Sequence, residues 1–396
     1  MTDANPFYPG RPVDPNFFGG REDILNAVSQ TLLKEEGLLW EDIEILGRWG
    51  MGKTSTLLKI RSVAPKANLT VYIPCMGNSE SRYLGEFLST LERDLQVRMK
   101  KQVSFADLFK SHKLGEKSGK GVVIEALARI DNRSILLLLD DSDLIPKDAL
   151  VAVKSALYQL RLGDGNRIMA VFASRESISE KLKKAGLSPA EARTRAFRLK
   201  DFTSDEVYAI LKQRYSWWTE RSLKTVFECT LGHPLLVQIY GSTYFKLAES
   251  DSTFRALRDK GHTEAQKGSI EELAAVYNDL KRKVDLEKTT REILGKCEAK
   301  SKEALWQWYR KGWKGKPSNA EWNVALAIAN HGGRARFIAI KKACGGNPGL
   351  QIKRAVAKGI IEQIERGLYA IPHPQIAQVL RERHQHQSQS PRGLEV

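Results

Sequence analysis

The stretch 45–55, ILGRWGMGKTS, limits what this chain can fold into more than any other part of the sequence. It fits the pattern Gly-x-x-x-x-Gly-Lys-Thr, whose fixed positions are filled by Gly47, Gly52, Lys53 and Thr54. An apolar run at 43–46 precedes the stretch, and 56–63 has the composition of a helix. This order of strand, glycine turn and helix N-terminus predicts a turn whose main-chain N–H groups surround phosphate oxygens.

Each residue type in this stretch suits the binding of a triphosphate. Glycines allow positive φ and let the backbone approach phosphate oxygens without a Cβ in the way. Lys53 is expected to reach the β and γ phosphates, and the Thr54 hydroxyl to bind Mg²⁺. The predicted contacts to ATP or ADP come from nine consecutive residues: Gly47, Arg48, Trp49, Gly50, Met51, Gly52, Lys53, Thr54 and Ser55.

A second feature, SILLLLDDSDLI at 134–145, supports this interpretation. An apolar run followed by two carboxylates is typical of a buried parallel strand with acids at its carboxyl end, where open α/β sheets bind ligands. Asp140 is predicted to orient the Mg²⁺ shell, and Asp141 to polarise an attacking water. Asp143 is assigned to a helix cap or to the surface.

Further strands at 69–73, 167–173 and 196–199 complete a predicted α/β fold with a five-stranded parallel sheet. The strand at 167–173 ends in Ser174 and Arg175, and either side chain can contact a γ-phosphate there. The predicted catalytic residues are Asp141, Lys53 and Arg175.

These motifs, over about 5–245, resemble those of STAND-class and archaeal P-loop ATPases, which are related to the AAA+ class. A Gly-Arg-Glu turn precedes the phosphate loop in those families and packs beside the nucleotide base. Here Gly20, Arg21 and Glu22 hold that place, so the resemblance implies that Arg21 and Glu22 contact the base. The additional Gly19 departs from the usual pattern, and a simple helix cap is the alternative interpretation.

The same resemblance extends to three later positions. Ser174 and Arg175 resemble the sensor position, although solvated polar residues at a strand end explain them equally well. Gly-x-Pro ending at Pro234 is similar to the lid motif of the STAND class, where it meets the nucleotide. An AAA+ lid more often carries an arginine here, and LLVQIYG has none, which favours the switch class. Arg193 and Arg195 lie where AAA+ assemblies place a finger toward the neighbouring subunit, although an exposed basic turn is the preferred interpretation.

The sequence after 200 predicts helices. A lid is expected at 201–250 after an ATPase core at 1–200, followed by a polar helical connector at 251–319. Tryptophans at 306, 308 and 313 alternate with basic residues near the end of this connector. Such residues can stack on single-stranded nucleic acid, but packing between domains is the commoner role and is preferred here.

The order of elements at 320–384 resembles a winged helix. Its helix 350–358 is predicted to turn a polar face outward, toward a DNA major groove, while a wing residue contacts the backbone. The candidate nucleic-acid contacts are Gln351, Lys353, Arg354, Lys358 and Arg366. The remaining segment, 385–396, is polar and predicted to be disordered.

The charge distribution agrees with a polyanionic partner. The chain has 396 residues and a formal charge of +16; from 301 onward, sixteen lysines and arginines face six acidic residues, an excess of +10. Double-stranded DNA is therefore the first candidate partner, although a basic surface also serves solubility. No apolar run has the length of a membrane span, so we expect a cytoplasmic protein with no membrane partner and four reduced cysteines.

The sequence thus predicts a P-loop ATPase with slow turnover, a helical lid and a C-terminal winged helix, in which ATP or ADP with Mg²⁺ controls DNA binding or assembly with copies of itself or a partner protein. Two alternatives stay open. One is an AAA+-type replication initiator or transposition regulator that oligomerises on DNA. The other is a signalling or defence scaffold that binds no nucleic acid.

Overall fold

The computed structural model describes residues 5–33, 41–65, 68–75, 79–99, 102–130, 134–163, 167–214, 218, 220–250, 286–311, 313 and 315–389. The chain divides into two compact units. The sheet unit comprises Gly10–Ser216 and Gly232–Leu235; the helical unit comprises Met1–Pro9, Trp217–Leu231 and Leu236–Val396. Most of the predicted connector, 251–285, and the end of the predicted tail, 390–396, lie outside the described residues.

A five-stranded parallel sheet organises the sheet unit, with the strand order β2-β3-β4-β1-β5. The strands are β1 Ile43–Leu46, β2 Leu69–Ile73, β3 Ser134–Leu139, β4 Arg167–Ser174 and β5 Arg195–Arg198. Every neighbouring pair is parallel. The predicted α/β fold with five parallel strands is therefore confirmed, and the last strand begins one residue before the predicted start.

Helices cover both faces of this sheet, because the central strands are apolar on both sides. On β3, Leu137 packs into the core on one face and Leu138 into the core on the other. Such double burial is what a near-continuous apolar strand predicts. The helices of this unit are α1 Glu22–Leu32, α2 Lys53–Val63, α3 Glu80–Met99, α4 Ala106–Lys113, α5 Gly119–Ala128, α6 Lys147–Gly163, α7 Ile178–Lys184 and α8 Ser204–Arg214.

The charged, glycine-containing segment 111–120, which the sequence alone predicts to be a loop, is helical at its two ends, 111–113 and 119–120. It contains the end of α4 and the beginning of α5, joined by a short turn. The Ser118 side chain caps α5 by accepting a hydrogen bond from Gly121 N at 3.2 Å. Leu108 and Val122, outside the segment, are buried in the core and hold the two helices in place. Local charge and glycine content concealed this packing in the sequence.

The helical unit contains long helices and a small antiparallel sheet of order β6-β8-β7. Its helices are α9 Glu220–Thr230, α10 Pro234–Ser250, α11 Leu286–Lys311, α12 Asn319–Asn330, α13 Phe337–Cys344, α14 Gly349–Ala357 and α15 Pro374–Gln389, and its strands are β6 Arg334–Arg336, β7 Glu362–Glu365 and β8 Leu368–Ala370. The order from α12 to β8 is the predicted winged helix. Helix α15 continues beyond 384, so residues 385–389, predicted to be disordered, are helical.

Aromatic side chains join the connector helix α11 to the winged helix. Trp306 is buried, and its ring centroid lies 5.9 Å from that of Tyr309 and 5.7 Å from that of Trp322 on α12. Trp313 contacts the same three rings. These tryptophans therefore pack a core, which agrees with the interpretation preferred from the sequence.

None of the helices, over the residues that the structure describes, has both the length and the apolar character to cross a membrane.

A buried charge cluster supports the amino-terminal edge of the central sheet. Asp42, just before β1, accepts hydrogen bonds from Lys154 Nζ, from both terminal nitrogens of Arg161 and from Ala170 N at 2.8 Å. Burial alone would raise the pKa of Asp42, but the charges of Arg161 and Lys154 outweigh it and lower the pKa to about 2. The cluster therefore favours the ionised carboxylate in the folded state.

We predict that Asp42→Asn destabilises the fold by about 3–5 kcal/mol at pH 7, because two buried cations lose their counter-charge. The folded-state pKa is lowered, so the ionised carboxylate stabilises the wild type above about pH 4. That contribution, on the order of 2 kcal/mol, is lost as the pH falls toward 2. Urea unfolding of the wild type and of Asp42→Asn between pH 2 and 7 measures their free energies of unfolding. The difference between the two free energies should become smaller as the pH falls.

The matched control is Asp107→Asn, since Asp107 pairs with Arg129 at an exposed position. An exposed pair contributes little, so this variant should unfold almost like the wild type. Equal losses for the two variants would contradict the assignment.

Candidate nucleotide-binding site

The phosphate-loop sequence forms the turn between β1 and α2. Gly50 and Gly52 have φ of 82° and 88°, in the left-handed region that favours glycine. Gly52 is the residue before the first helical residue of α2, and a Cβ built on it meets nothing within 4 Å. Gly47 is limited by packing instead, because a Cβ there would lie 3.2 Å from the Cβ atoms of Leu199 and Met51.

Lys53 is buried at the first position of α2, 7% exposed. Its Nζ donates hydrogen bonds to Gly47 O at 2.9 Å and to Arg48 O at 3.1 Å. Burial lowers the pKa of Lys53, and the nearby carboxylates, chiefly Asp141, oppose this effect. The loop therefore combines a cation with the positive end of a helix, as anion binding requires.

The Asp140 carboxylate meets the start of α2 directly. Its Oδ2 accepts a hydrogen bond from Thr54 Oγ1 at 2.8 Å and another from the Tyr72 hydroxyl at 2.7 Å. Its Oδ1 accepts from Asp141 N at 3.0 Å. The two residues expected to hold Mg²⁺, Thr54 and Asp140, thus lie together although 86 positions separate them in the sequence.

The sequence pattern does not predict a role for Tyr72 in this site, because Tyr72 is simply one aromatic residue within a strand. Burial and the Asp140 charge raise its pKa, so the hydroxyl keeps its proton and donates at neutral pH. The available signal is its place next to the carboxyl end of β2, beside the strand that precedes Asp140. Recognising that signal requires the strand order, which the sequence alone does not supply.

Asp141 adopts a left-handed backbone conformation, with φ of 43° and ψ of 42°. Aspartate tolerates this region better than most residues, but it remains uncommon. Partial desolvation and the neighbouring Asp140 charge raise the pKa of Asp141. Strain and a raised pKa at an exposed carboxylate are typical of a functional position.

Asp143 is the partner of Arg175 rather than a helix cap or a free surface residue. Arg175 Nε donates to Asp143 Oδ2 at 2.8 Å, and Arg175 N donates to Asp143 Oδ1 at 3.1 Å. Ser174 is fully buried, and its hydroxyl donates to Glu176 O at 2.8 Å. The charge of Arg175 influences Lys53, so both cations lie near the same acidic group of side chains.

The Gly-Arg-Glu turn packs against the region just before α8. Arg21 has φ of 67°, and its guanidinium carbon lies 4.5 Å from the centroid of the Phe202 ring. A Cβ on Gly19 would lie 2.7 Å from Ile210, which explains the additional glycine. Glu22 is exposed on the first turn of α1. The structure thus packs Arg21 closely and leaves the Glu22 side chain at the surface.

The Gly-x-Pro segment lies beside the phosphate loop. Phe202 N donates to Gly232 O at 2.9 Å, and a Cβ on Gly232 would lie 1.9 Å from Phe202 O. A Cβ on Gly50 would lie 3.0 Å from the Cβ of Leu235, the residue after Pro234. Residues 233–235, which include the start of α10, are therefore packed on the glycine turn.

The two arginines near β5 lie at the surface. The Arg193 side chain is 77% exposed, and its Nε is 3.3 Å from Glu41 Oε1. Arg195 is also exposed, with its guanidinium carbon 5.1 Å from the centroid of the Phe197 ring. This geometry suits either a contact in trans or a basic surface.

The donor set fits magnesium bound together with a nucleotide. Among the described residues, no group of three or more His, Cys, Asp or Glu side chains could hold a metal ion alone. Mg²⁺ commonly takes one or two protein oxygens and completes its shell with water and substrate phosphates. Thr54 and Asp140 supply hard oxygen donors at the N-terminus of α2, so the residues present fit a Mg²⁺–nucleotide complex.

The candidate nucleic-acid residues divide into two groups. Lys353, Arg354 and Arg366 are exposed on α14 and on the turn between β7 and β8. Lys358 instead donates to Glu321 Oε2 at 2.7 Å and to Lys316 O at 2.9 Å, which gives it a structural role. Gln351 is half-buried, and its Oε1 is buried and has no hydrogen-bond partner within the part of the chain that the structure describes.

Comparison with known proteins identifies the fold. No protein-family model matches the sequence, and no curated protein matches it. The structure is similar to the Walker-type ATPase PABY2304 of Pyrococcus abyssi, with a TM-score of 0.55 and 16% identity over 92% of this chain and 96% of that chain. It is also similar to the Aeropyrum pernix ORC2 protein in its ADPNP–ADP complexes, with a TM-score of 0.51 and 14% identity. That match covers 93% of this chain and 94% of that chain.

At such identities the likeness shows the fold alone. The chain has the fold of P-loop ATPases, with a parallel five-stranded sheet, a helical lid and a C-terminal winged helix. The resemblance inferred from the motifs is confirmed at this level.

We predict that Gly232→Ala costs about 2–4 kcal/mol, because the new Cβ combines left-handed strain with a collision against Phe202 O. Hydrogen exchange at Phe202 N–H, which donates to Gly232 O, measures the local effect and should become faster. The matched control is Gly115→Ala, with φ of 74° but no atom within 4 Å of the new Cβ. Backbone strain alone should destabilise Gly115→Ala by about 1 kcal/mol and leave hydrogen exchange at Phe202 N–H unchanged. Faster exchange at Phe202 N–H in both variants would contradict the proposed collision.

Proposed function

We propose that the chain is an ATP-binding switch that hydrolyses ATP slowly and whose nucleotide state controls DNA binding or partner assembly through the winged helix. The observation that carries the proposal is the hydrogen bond between Thr54 and Asp140 beside Lys53 and two positive-φ glycines. It brings the glycine turn and the Asp140 carboxylate, which we propose to bind phosphate and Mg²⁺, to the same place. A structural glycine turn has no need of the buried lysine or of the carboxylate.

The residues of the site have distinct roles in this proposal. Main-chain N–H groups of 50–54 and the Lys53 ammonium bind the β and γ phosphates. Arg21 and Glu22 are proposed to contact the base, as the resemblance of the Gly-Arg-Glu turn implies. Thr54 and Asp140 hold Mg²⁺, which supplies Lewis-acid polarisation of the phosphates when bound. Asp141 orients the attacking water and accepts its proton. The raised pKa of Asp141 favours that role.

Arg175 is proposed to stabilise charge on the γ-phosphate. In the structure its guanidinium is paired with Asp143, at 2.7 Å between Arg175 Nη2 and Asp143 Oδ2. A terminal phosphate competes with this carboxylate for the same donors. ATP and ADP therefore differ in what they offer to Arg175, and this difference is one means of sensing the nucleotide.

The lid is the element that the nucleotide is proposed to control. Residues 232–235 pack with the sheet unit, whereas α10 continues into the helical unit. A ligand can shift a conformational equilibrium only through its different affinity for the two states. Contact between the start of α10 and the turn at Gly50 provides such a difference, because the same turn binds phosphate.

We predict that Lys53→Ala weakens ATP binding by about 100-fold, the size expected from losing roughly 3 kcal/mol of charge-assisted hydrogen bonds. Isothermal titration with Mg·ATP measures it, and circular dichroism checks that the variant is folded. The matched control is Lys184→Ala, an exposed lysine on the sheet unit, which should bind ATP like the wild type. Unchanged ATP affinity in the Lys53 variant would contradict the proposed site.

The output of the switch is proposed to be DNA engagement. Lys353 and Arg354 project from α14, which corresponds to the recognition helix of a winged helix, and Arg366 lies at the wing. Arg334 and Arg336 on β6 are also exposed and add positive charge to the same module. Such a basic surface favours phosphate contacts and makes affinity dependent on salt.

We predict that Lys353→Ala and Arg354→Ala each weaken duplex DNA binding and reduce the slope of log affinity against log salt concentration by about 1. Fluorescence anisotropy with labelled duplex DNA, measured with ATP and with ADP, provides the test. Lys300→Ala is the matched control, since Lys300 is exposed on α11 outside the winged helix. A wild-type protein without salt-dependent DNA affinity would favour a protein partner instead.

A further inference from the structure

The carboxyl end of β2 contributes a side chain to the site that the fold does not require. Tyr72 lies one residue before the end of β2, opposite Leu138 in the parallel pairing with β3. Its ring packs with the core on the face covered by α1 and α2. Phenylalanine would fill the same space, so the packing does not explain the hydroxyl.

The Tyr72 hydroxyl donates to the oxygen of Asp140 that also accepts from Thr54. The two donor distances to Oδ2 are 2.7 Å and 2.8 Å, and Asp141 N holds Oδ1 at 3.0 Å. Asp140 N in turn donates to Ile73 O at 3.0 Å, so the main chain of β2 fixes the position of the aspartate backbone. Strand β2 thus restrains both the backbone and the carboxylate of Asp140.

This arrangement determines the direction in which the carboxylate faces. A carboxylate held by one hydrogen bond can rotate about its χ2 torsion, whereas donors on both oxygens fix its plane. Each of the three donors is neutral, so the negative charge of Asp140 stays available for a cation. Outer-shell hydrogen bonds to metal ligands of this kind set metal affinity.

We propose that Tyr72 is a positioning residue for Mg²⁺, acting through Asp140 and not through the nucleotide. The inference rests on the proposed function, because it concerns the metal ion of the same site. Removing the hydroxyl takes away one of the two donors to Oδ2 and leaves Thr54, itself a proposed Mg²⁺ ligand, to hold that oxygen. The carboxylate is then held less firmly in the direction of the metal position, and the effect appears in Mg²⁺ affinity. Binding of ATP without a divalent ion does not depend on it.

The experiment compares Tyr72→Phe with Tyr83→Phe. Tyr83 is fully buried on α3, and its hydroxyl has no hydrogen-bond partner among the described residues, so its loss removes no contact of this kind. A fluorescent ATP analogue is titrated first in EDTA and then, at fixed concentration, with MgCl₂. Tyr72→Phe should bind the analogue in EDTA with wild-type affinity but need about 10-fold more Mg²⁺ for the half-maximal fluorescence change. Tyr83→Phe should match the wild type in analogue affinity and in Mg²⁺ requirement.

A double-mutant cycle with Asp140→Asn separates the proposed route from a general loosening of the site. If Tyr72 acts through the carboxylate, adding Tyr72→Phe to Asp140→Asn changes the Mg²⁺ requirement no further. A full additional 10-fold effect would contradict the proposal. So would a Tyr72→Phe protein with the wild-type Mg²⁺ requirement.

A fluorotyrosine at position 72 provides a second measurement that retains the hydroxyl. Its fluorine resonance should shift when Mg²⁺ is added to the ATP complex, while a fluorotyrosine at position 83 should not shift; an unmoved resonance at 72 would contradict the proposal. A wild-type protein that binds no ATP analogue at all would refute the proposed function itself. Wild-type binding with no effect of Tyr72→Phe would refute only the role of Tyr72.

Discussion

The hydrogen bond between Thr54 and Asp140 is the contact on which the arrangement of the site depends. It joins the first turn of α2 to the carboxyl end of β3, and therefore fixes the glycine turn relative to the acidic strand end. The Lys53 ammonium lies in the same turn, held on the carbonyls of Gly47 and Arg48. Polar groups that the fold already holds together lower the cost of gathering them around a charged ligand, although Lys53 must leave these carbonyls to reach a phosphate.

The rest of the sheet unit maintains that geometry from both sides. At the amino-terminal edge of the sheet, Asp42 gathers Lys154 and Arg161 into a buried cluster that ties β1 to α6. At the carboxyl edge, Gly232, two residues before α10, lies against Phe202, where only glycine fits. The glycine turn consequently lies between the end of β1 and residues 233–235, which pack against Gly50.

Much of this was predictable, because the strongest signals are local. The glycine motif, the apolar strand before Asp140 and the alternation of strands and helices each depend on adjacent residues. The Tyr72 contact depends on β2 lying next to β3, and such a pairing of distant segments leaves no trace in sequence spacing. Lys358 was assigned to the outward face of a helix, whereas the end of that helix brings it to Glu321. The helices around 111–120 were missed since their buried residues lie outside the charged stretch.

The most direct test is a crystal structure of the wild-type protein with Mg²⁺ and a nonhydrolysable ATP analogue. We expect the β and γ phosphates to lie against the N–H groups of 50–54, with the Lys53 ammonium turned from the loop carbonyls to the phosphates. Mg²⁺ should lie beside Thr54 Oγ1, on the side of Asp140. A nucleotide bound elsewhere, or Mg²⁺ remote from Thr54 and Asp140, would show that this turn is not the nucleotide site.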